Sequence, residues 1–178
     1  SGFFLLLLGG VTFGISLFAC GYFRDTEAKV LGPLSLQYHV FLASMAFVLI
    51  ADDAYLFMIT WESMALSSYF LVTTEHYDEQ NRKAGFIYLL IAHIGALGIL
   101  LCFGVLHGGH GDYTFEALRA AHLNGSWATV AFLLAFFGFG AKAGMLPLHV
   151  WLPEAHPAAP SPVSALMSGV MIKTAIYG

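Results

Sequence analysis

The 178-residue chain is 58% apolar, 15% aromatic and only 10% charged, with a formal net charge of −4 and a mean hydropathy of +0.76; a soluble domain carries roughly 25% charged residues. Such a composition describes an integral membrane protein with the lipid bilayer as a partner. No basic tract is present to hold a phosphate backbone, so nucleic acid is excluded.

Six spans are read from the sequence, residues 2–23, 34–51, 54–74, 84–106, 127–151 with a break, and 163–178, against about 20 apolar residues needed to cross a hydrocarbon core of roughly 30 Å. The fold expected is therefore an all-α, polytopic transmembrane helix bundle. The first apolar run is too long for a signal peptide and is expected to be a true span. The chain starts without Met and ends inside an apolar helix, so it is expected to be one transmembrane domain, 1–178, cut from a larger polytopic protein.

The connections follow in order. The first, 24–33, carries Arg24 and Lys29; the second is little more than Asp52 and Asp53, a tight acidic turn. The third, 75–83, holds Arg82 and Lys83. The fourth, 107–126, is rich in Gly and His and includes a short surface helix over 113–122, capped by Asp112 or Thr114. Alternate loops share a side, so the odd loops collect Arg24, Lys29, Arg82 and Lys83 while the even ones collect only Arg119. The positive-inside rule then puts the odd loops in the cytoplasm.

Residues 147–162 hold five of the six prolines, a stiff connection that fixes the direction of the last helix, with Ser161 before Pro162 as its start. Small residues recur at helix-packing spacing in Gly10/Gly14 and Gly140/Gly144, read as ordinary contacts within one subunit. Cys20 and Cys102 lie far apart in apolar spans with no Cys-x-x-Cys, and are read as packing residues.

Three ionisable residues interrupt the apolar spans: Glu62, Lys142 and Lys173. A charge at the centre of an inserted helix costs roughly 2.5–3.5 kcal/mol on insertion scales, so these side chains are expected to face one another, or water, inside the bundle. Glu62 sits roughly 3 Å from the middle of its span, too deep to snorkel, with Ser63, Ser67 and Ser68 giving it a polar neighbourhood. Lys142 falls near Pro147, which has no N–H to donate, and the apolar run continues beyond it through Leu148, Val150, Trp151 and Leu152. The spacing predicts a helix broken around residues 145–148, and such breaks are tolerated at membrane depth only where they line a cavity or are buried in protein. Lys173 lies about 15 Å along the last helix, near half the hydrocarbon thickness.

Among the histidines, His149 and His156 lie within the proline segment and suit proton relay, because an imidazole exchanges protons near neutral pH. His39 and His93 form a formal pair for haem ligation, but helix packing is the stronger reading. His107-Gly-Gly-His110 resembles a metal tract only superficially. No metal, cofactor or catalytic redox centre is assigned.

The runs Trp61-Glu62-Ser63-Met64-Ala65-Leu66, Gly140-Ala141-Lys142, Leu146-Pro147-Leu148-His149-Val150-Trp151-Leu152-Pro153-Glu154-Ala155-His156, Ser164-Ala165-Leu166 and Ile172-Lys173-Thr174 resemble the antiporter-like proton-translocating membrane subunits of respiratory complex I, Mrp antiporters and group 4 membrane hydrogenases. The wording is most similar to the hydrogenase-4 component B and formate hydrogenlyase subunit 3 branch. The resemblance implies that Glu62 pairs with Lys142, and that Lys173 passes protons towards the membrane centre. It further implies that the spans are the third to eighth of fourteen, with 34–178 approximating one of two inverted repeats. Glu154 stands where the family commonly has Asp, which keeps the charge.

The function expected is proton translocation by a multi-pass subunit of the inner (cytoplasmic) membrane, assembled with other membrane subunits of a hydrogenase or NADH dehydrogenase-like complex. The residues carrying it are Glu62, Lys142, Lys173, His149 and His156. A different class is a structural anchor without ion transport, which proton flux surviving neutralisation of Glu62 would favour. A third, a quinone or haem electron carrier, requires a chromophore.

Overall fold

The computed structural model of the chain describes residues 1–109 and 111–178. Among them all regular structure is helical apart from a single isolated bridge between Asp53 and Thr114. The helices are α1 (Gly2–Tyr22), α2 (Ala28–Ile50), α3 (Ala54–Val72), α4 (Glu79–His107), α5 (Phe115–Ala120), α6 (Gly125–Ala143), α7 (Trp151–Ala158), α8 (Ser161–Leu166) and α9 (Ile172–Tyr177). A 3₁₀ turn, Leu148–Val150, leads into α7, and a π-helical stretch, Met167–Met171, joins α8 to α9. By length and composition, four stretches suffice to cross a membrane: Gly2–Tyr22, Ala28–Ile50, Glu79–His107 and Gly125–Ala158.

Helix starts follow local chemistry. Asp53 accepts from the Leu56 amide at 2.8 Å, Asp78 from Gln80, Thr114 from Ala117 and Asn124 from Trp127, each satisfying an amide with no partner within its own helix. Thr114, rather than Asp112, therefore caps the short α5. Two helices start earlier than expected. α2 begins at Ala28 with Pro33 inside it, because that proline lies just past the first turn and sacrifices one backbone bond only. α4 begins at Glu79, which places Arg82 and Lys83 on its opening turns; Arg82 Nη1 donates to the carbonyl oxygens of His76 and Tyr77.

α3 is the central element, burying Phe57, Trp61, Met64, Ala65, Ser67, Ser68, Leu71 and Val72 against α2 and α4. α4 and α6 pack most closely, at glycines other than those singled out by spacing. A Cβ on Gly138 would sit 2.6 Å from the Gly95 carbonyl oxygen and 2.9 Å from the Ile99 nitrogen, so backbone lies against backbone there. By contrast, a Cβ on Gly10 or Gly14 would meet nothing within 4 Å among the described residues, so that pair is not where helices pack closely.

α6 ends at Ala143. Gly144 adopts a left-handed conformation (φ +71°), and a Cβ there would lie 2.1 Å from Leu152 Cδ1, so both backbone and space require glycine. The stop thus comes three residues before Pro147 and is made by a glycine cap. The Ala141 carbonyl, which takes the Gly144 amide at 3.3 Å, also accepts from the Trp151 indole Nε1 at 2.9 Å, tying α7 back onto the end of α6. The turn between α2 and α3 is in turn held by the α4–α6 connection: the Ala54 amide donates to the Tyr113 carbonyl and the Phe115 amide to that of Asp52, both at 2.9 Å.

Candidate functional site

Lys142 is only 2% exposed, in the last turn of α6. Its ammonium donates to Tyr88 Oη at 2.8 Å and lies 5.0 Å from the Tyr88 ring centroid and 5.9 Å from that of Trp61. The aromatic faces supply negative potential to a cation buried away from the surface. Tyr88 Oη also lies 2.5 Å from Ser68 Oγ, and Ser68 donates onward to the Met64 carbonyl at 2.6 Å. Lys142 donates to Tyr88; with Ser68 donating to the α3 backbone, the Tyr88 hydroxyl donates to Ser68, and Met171 Sδ, 3.7 Å away, is its other acceptor. Three helices, α6, α4 and α3, thus meet in one buried hydrogen-bonded chain. Trp151, buried on α7, packs on Tyr88 with ring centroids 5.1 Å apart.

Tyr88 escaped sequence reading. An aromatic in an apolar helix is ordinarily core, and nothing in spacing alone marks this one among the chain's 8 tyrosines as the partner of Lys142.

Glu62 stands on a different side of α3. It is one-third exposed and faces His93 of α4, with Oε2 and Nε2 3.6 Å apart, the one acid–base pair in contact among the described residues. Both line a groove of about 550 Å³ whose other walls are Met58, Ile59, Ala96, Leu97 and Leu100. Glu62 and Lys142 are therefore not in ion-pair contact in this conformation, although Trp61, next to Glu62, touches the Lys142 cation.

Lys173, half-buried on α9, donates to the Ser168 carbonyl in the π-helical stretch, a turn type found disproportionately at functional sites. His156 Nδ1 is 2.9 Å from Ser164 Oγ, which links α7 to α8. His149 is half-buried, and its Nδ1 has no hydrogen-bond partner among the described residues. Lys173, His149 and His156 do not join the Lys142 chain directly.

His39 and His93 do not meet. His39 lines a cavity between α1 and α2 and its Nδ1 donates to the Ser35 carbonyl at 2.7 Å, whereas His93 lies in the Glu62 groove. His107 donates through Nε2 to the Gly111 carbonyl at 2.9 Å and stacks on Tyr113; His110, the other half of that tract, lies outside the described residues.

Residues 51–178, with this buried lysine and groove-facing glutamate, match the family described as NADH:quinone oxidoreductase/Mrp antiporter, TM. The chain belongs to that family. Hydrogenase-4 component B of Escherichia coli (strain K12) is 44% identical over 178 residues, covering 100% of this chain and 26% of that protein. Formate hydrogenlyase subunit 3 of the same strain is 29% identical over 174 residues, covering 98% of this chain and 27% of that protein. NADH-quinone oxidoreductase subunit L, also from that strain, is 30% identical over 182 residues, with 97% and 29% covered. The chain thus spans about a quarter of the length of these antiporter-like relatives. The fold agrees with that of a chain in the membrane-bound sulfane sulfur reductase, an archaeal respiratory membrane complex, with a TM-score of 0.85 at 23% identity, covering 98% of this chain and 35% of that one.

Proposed function

We propose that the chain is the proton-translocating portion of a membrane subunit in a redox-driven respiratory complex, moving H⁺ through Glu62, Lys142 and Lys173, with His149 and His156 as relays towards water. The observation that carries this reading is Lys142, 2% exposed at the end of a membrane-length helix, its ammonium held by one phenol and two aromatic faces. A cation so placed is costly unless it has a task, and intramembrane ionisable residues mark ion pathways.

Six spans fit the bundle best in this reading. α3 and the run 161–177 join the four stretches of sufficient length and apolarity, and α6 with α7 form one interrupted span, bridged at the break by the Trp151 indole donating to the Ala141 carbonyl. The membrane is the inner (cytoplasmic) one, the odd loops face the cytoplasm, and the partners are membrane subunits of a hydrogenase-4, formate hydrogenlyase or NADH dehydrogenase-like assembly.

Transport follows from a switch. With Lys142 held by Tyr88, its proton is kept; when Glu62 rotates towards Lys142, or water reaches the aromatic cage, the proton is re-partitioned and passes towards Lys173. A structural anchor without transport is the competing reading, favoured by the buried contacts that tie Lys142 to Tyr88, and Tyr88 to Ser68, across three helices. Glu62→Gln separates the two. In assembled complex in vesicles, the transport reading expects proton uptake to be suppressed with assembly intact, and the double Glu62→Gln, Lys142→Met variant to be no worse than either single one, as for groups in one network. Normal uptake in Glu62→Gln supports the anchor.

A further inference from the structure

The groove between α3 and α4 holds the second polar feature of the membrane interior. His93 is the middle residue of the 29-residue α4, and Glu62 lies one position before the middle of the 19-residue α3. Their side chains, 48% and 33% exposed, meet at 3.6 Å in a groove otherwise lined by Met58, Ile59, Ala96, Leu97 and Leu100. No other titratable group lines it among the described residues. Lys142, on the neighbouring α6, donates to Tyr88 instead.

We propose that His93 is the proton-exchange partner of Glu62, and that the two side chains together form a mid-membrane proton store feeding the Lys142 chain. The proposal rests on the transport reading above and adds to it the residue from which Glu62 draws its proton.

The chemistry balances without any further reactant. A protonated Glu62 carboxyl and neutral His93 exchange one proton to give a carboxylate and an imidazolium, and the pair has zero net charge in both forms. Moving the proton within the pair therefore leaves the net charge in an apolar groove unchanged, whereas either group alone must carry a full charge there in one of its two states. The 3.6 Å separation exceeds the 2.7–2.9 Å of a charge-assisted hydrogen bond, so a small side-chain rotation makes or breaks the transfer contact. The same freedom lets Glu62, protonated from the His93 imidazolium, leave for Lys142 once that lysine has passed its own proton on towards Lys173; Glu62 returns as a carboxylate to His93, which takes up the next proton from water, so the glutamate is the moving element. Lys142 itself, buried and hydrogen-bonded, is the fixed one.

The test uses the assembled complex in vesicles, with proton uptake measured across pH for His93→Gln, His93→Lys and Glu62→Gln. A merely structural His93 tolerates Gln, which keeps its hydrogen-bonding capacity. The proposal expects His93→Gln to slow uptake at least about tenfold, the scale of losing a positioned proton-exchange group, and to change the pH profile of uptake. His93→Lys, which restores an exchangeable proton, is expected to recover part of the rate with a displaced profile. If His93→Gln keeps the full rate and pH profile while Glu62→Gln loses uptake, the transport reading stands and His93 is a packing residue. Full uptake in both variants overturns both. Should the substitutions impair assembly, infrared spectra of the unsubstituted complex decide: with ¹³C-glutamate and ring-¹⁵N-histidine labels, the store requires a carboxyl band and an imidazole band that change together with pH, and independent changes overturn it.

Discussion

Replacing Tyr88 by Phe removes one oxygen and leaves the ring in place, so the aromatic face 5.0 Å from the Lys142 cation and the packing against Trp151 survive. What is lost is the 2.8 Å bond from Lys142 Nζ, the bond with Ser68 Oγ and the long 3.7 Å contact to Met171 Sδ. A hydrogen bond to a charged group contributes about 1.5–3 kcal/mol and a neutral one about 1 kcal/mol. Ser68 keeps its bonds to the Met64 and Ala65 carbonyls, so its loss is small. Lys142, 2% exposed, has no other hydrogen-bond partner among the described residues. A loss of about 2 kcal/mol corresponds to roughly a 30-fold fall in the population of the arrangement seen here. The expected result is a Tyr88→Phe complex that assembles but takes up protons at a rate reduced roughly tenfold or more, measured by a pH-sensitive dye in inverted vesicles. An unchanged rate with normal assembly would refute the view that Tyr88 holds the lysine in its working position.

Other outcomes follow from the same geometry. Gly138→Ala places a methyl group 2.6 Å from the Gly95 carbonyl oxygen, which forces α4 and α6 apart at a cost of about 1–3 kcal/mol; a lower thermal inactivation temperature of the assembled complex is expected, whereas Gly104→Ala, with nothing within 4 Å, is expected to leave it unchanged. Gly144→Ala meets both the φ of +71° and Leu152, and is expected to displace α7 and expose Trp151, read as a red shift and stronger quenching of the protein's tryptophan emission. Single cysteines at Arg24 and at Arg119 are expected to label from opposite sides of the membrane, with Arg24 protected from an impermeant reagent added outside; preferential outside labelling of Arg24 would reverse the orientation.

Much of the helical order was legible because apolar length is read directly from composition, and Pro, Gly and Asp mark boundaries through backbone chemistry. The interruption near Lys142 was anticipated from Pro147, yet the helix stops at Gly144, where a left-handed residue and the approach of Leu152 act before the proline can. Close packing was assigned to Gly10/Gly14 and Gly140/Gly144, while the backbone contact uses Gly95, Gly98 and Gly138. Spacing on one helix cannot say which face meets a neighbour. The same limit applies to the site. Depth along a span singled out Glu62, Lys142 and Lys173, but rotation about the helix axis decides partners, and it turns Glu62 towards His93 and Lys142 towards Tyr88. His93 was weighed as packing because a lone His in an apolar helix carries no sign of what stands opposite. The clasp between residues 52–54 and 113–115 pairs segments distant in sequence through backbone atoms, which leave no trace in side-chain pattern.

The central claim, that the buried lysine moves protons, is tested most directly by Lys142→Met, which keeps an unbranched side chain of similar volume and removes only the charge and its donors. Proton uptake is to be measured in vesicles carrying the assembled complex, with assembly and redox turnover checked on the same preparation. The account predicts redox turnover with proton uptake lost; uptake at the unsubstituted rate would contradict it and leave Lys142 a structural lock.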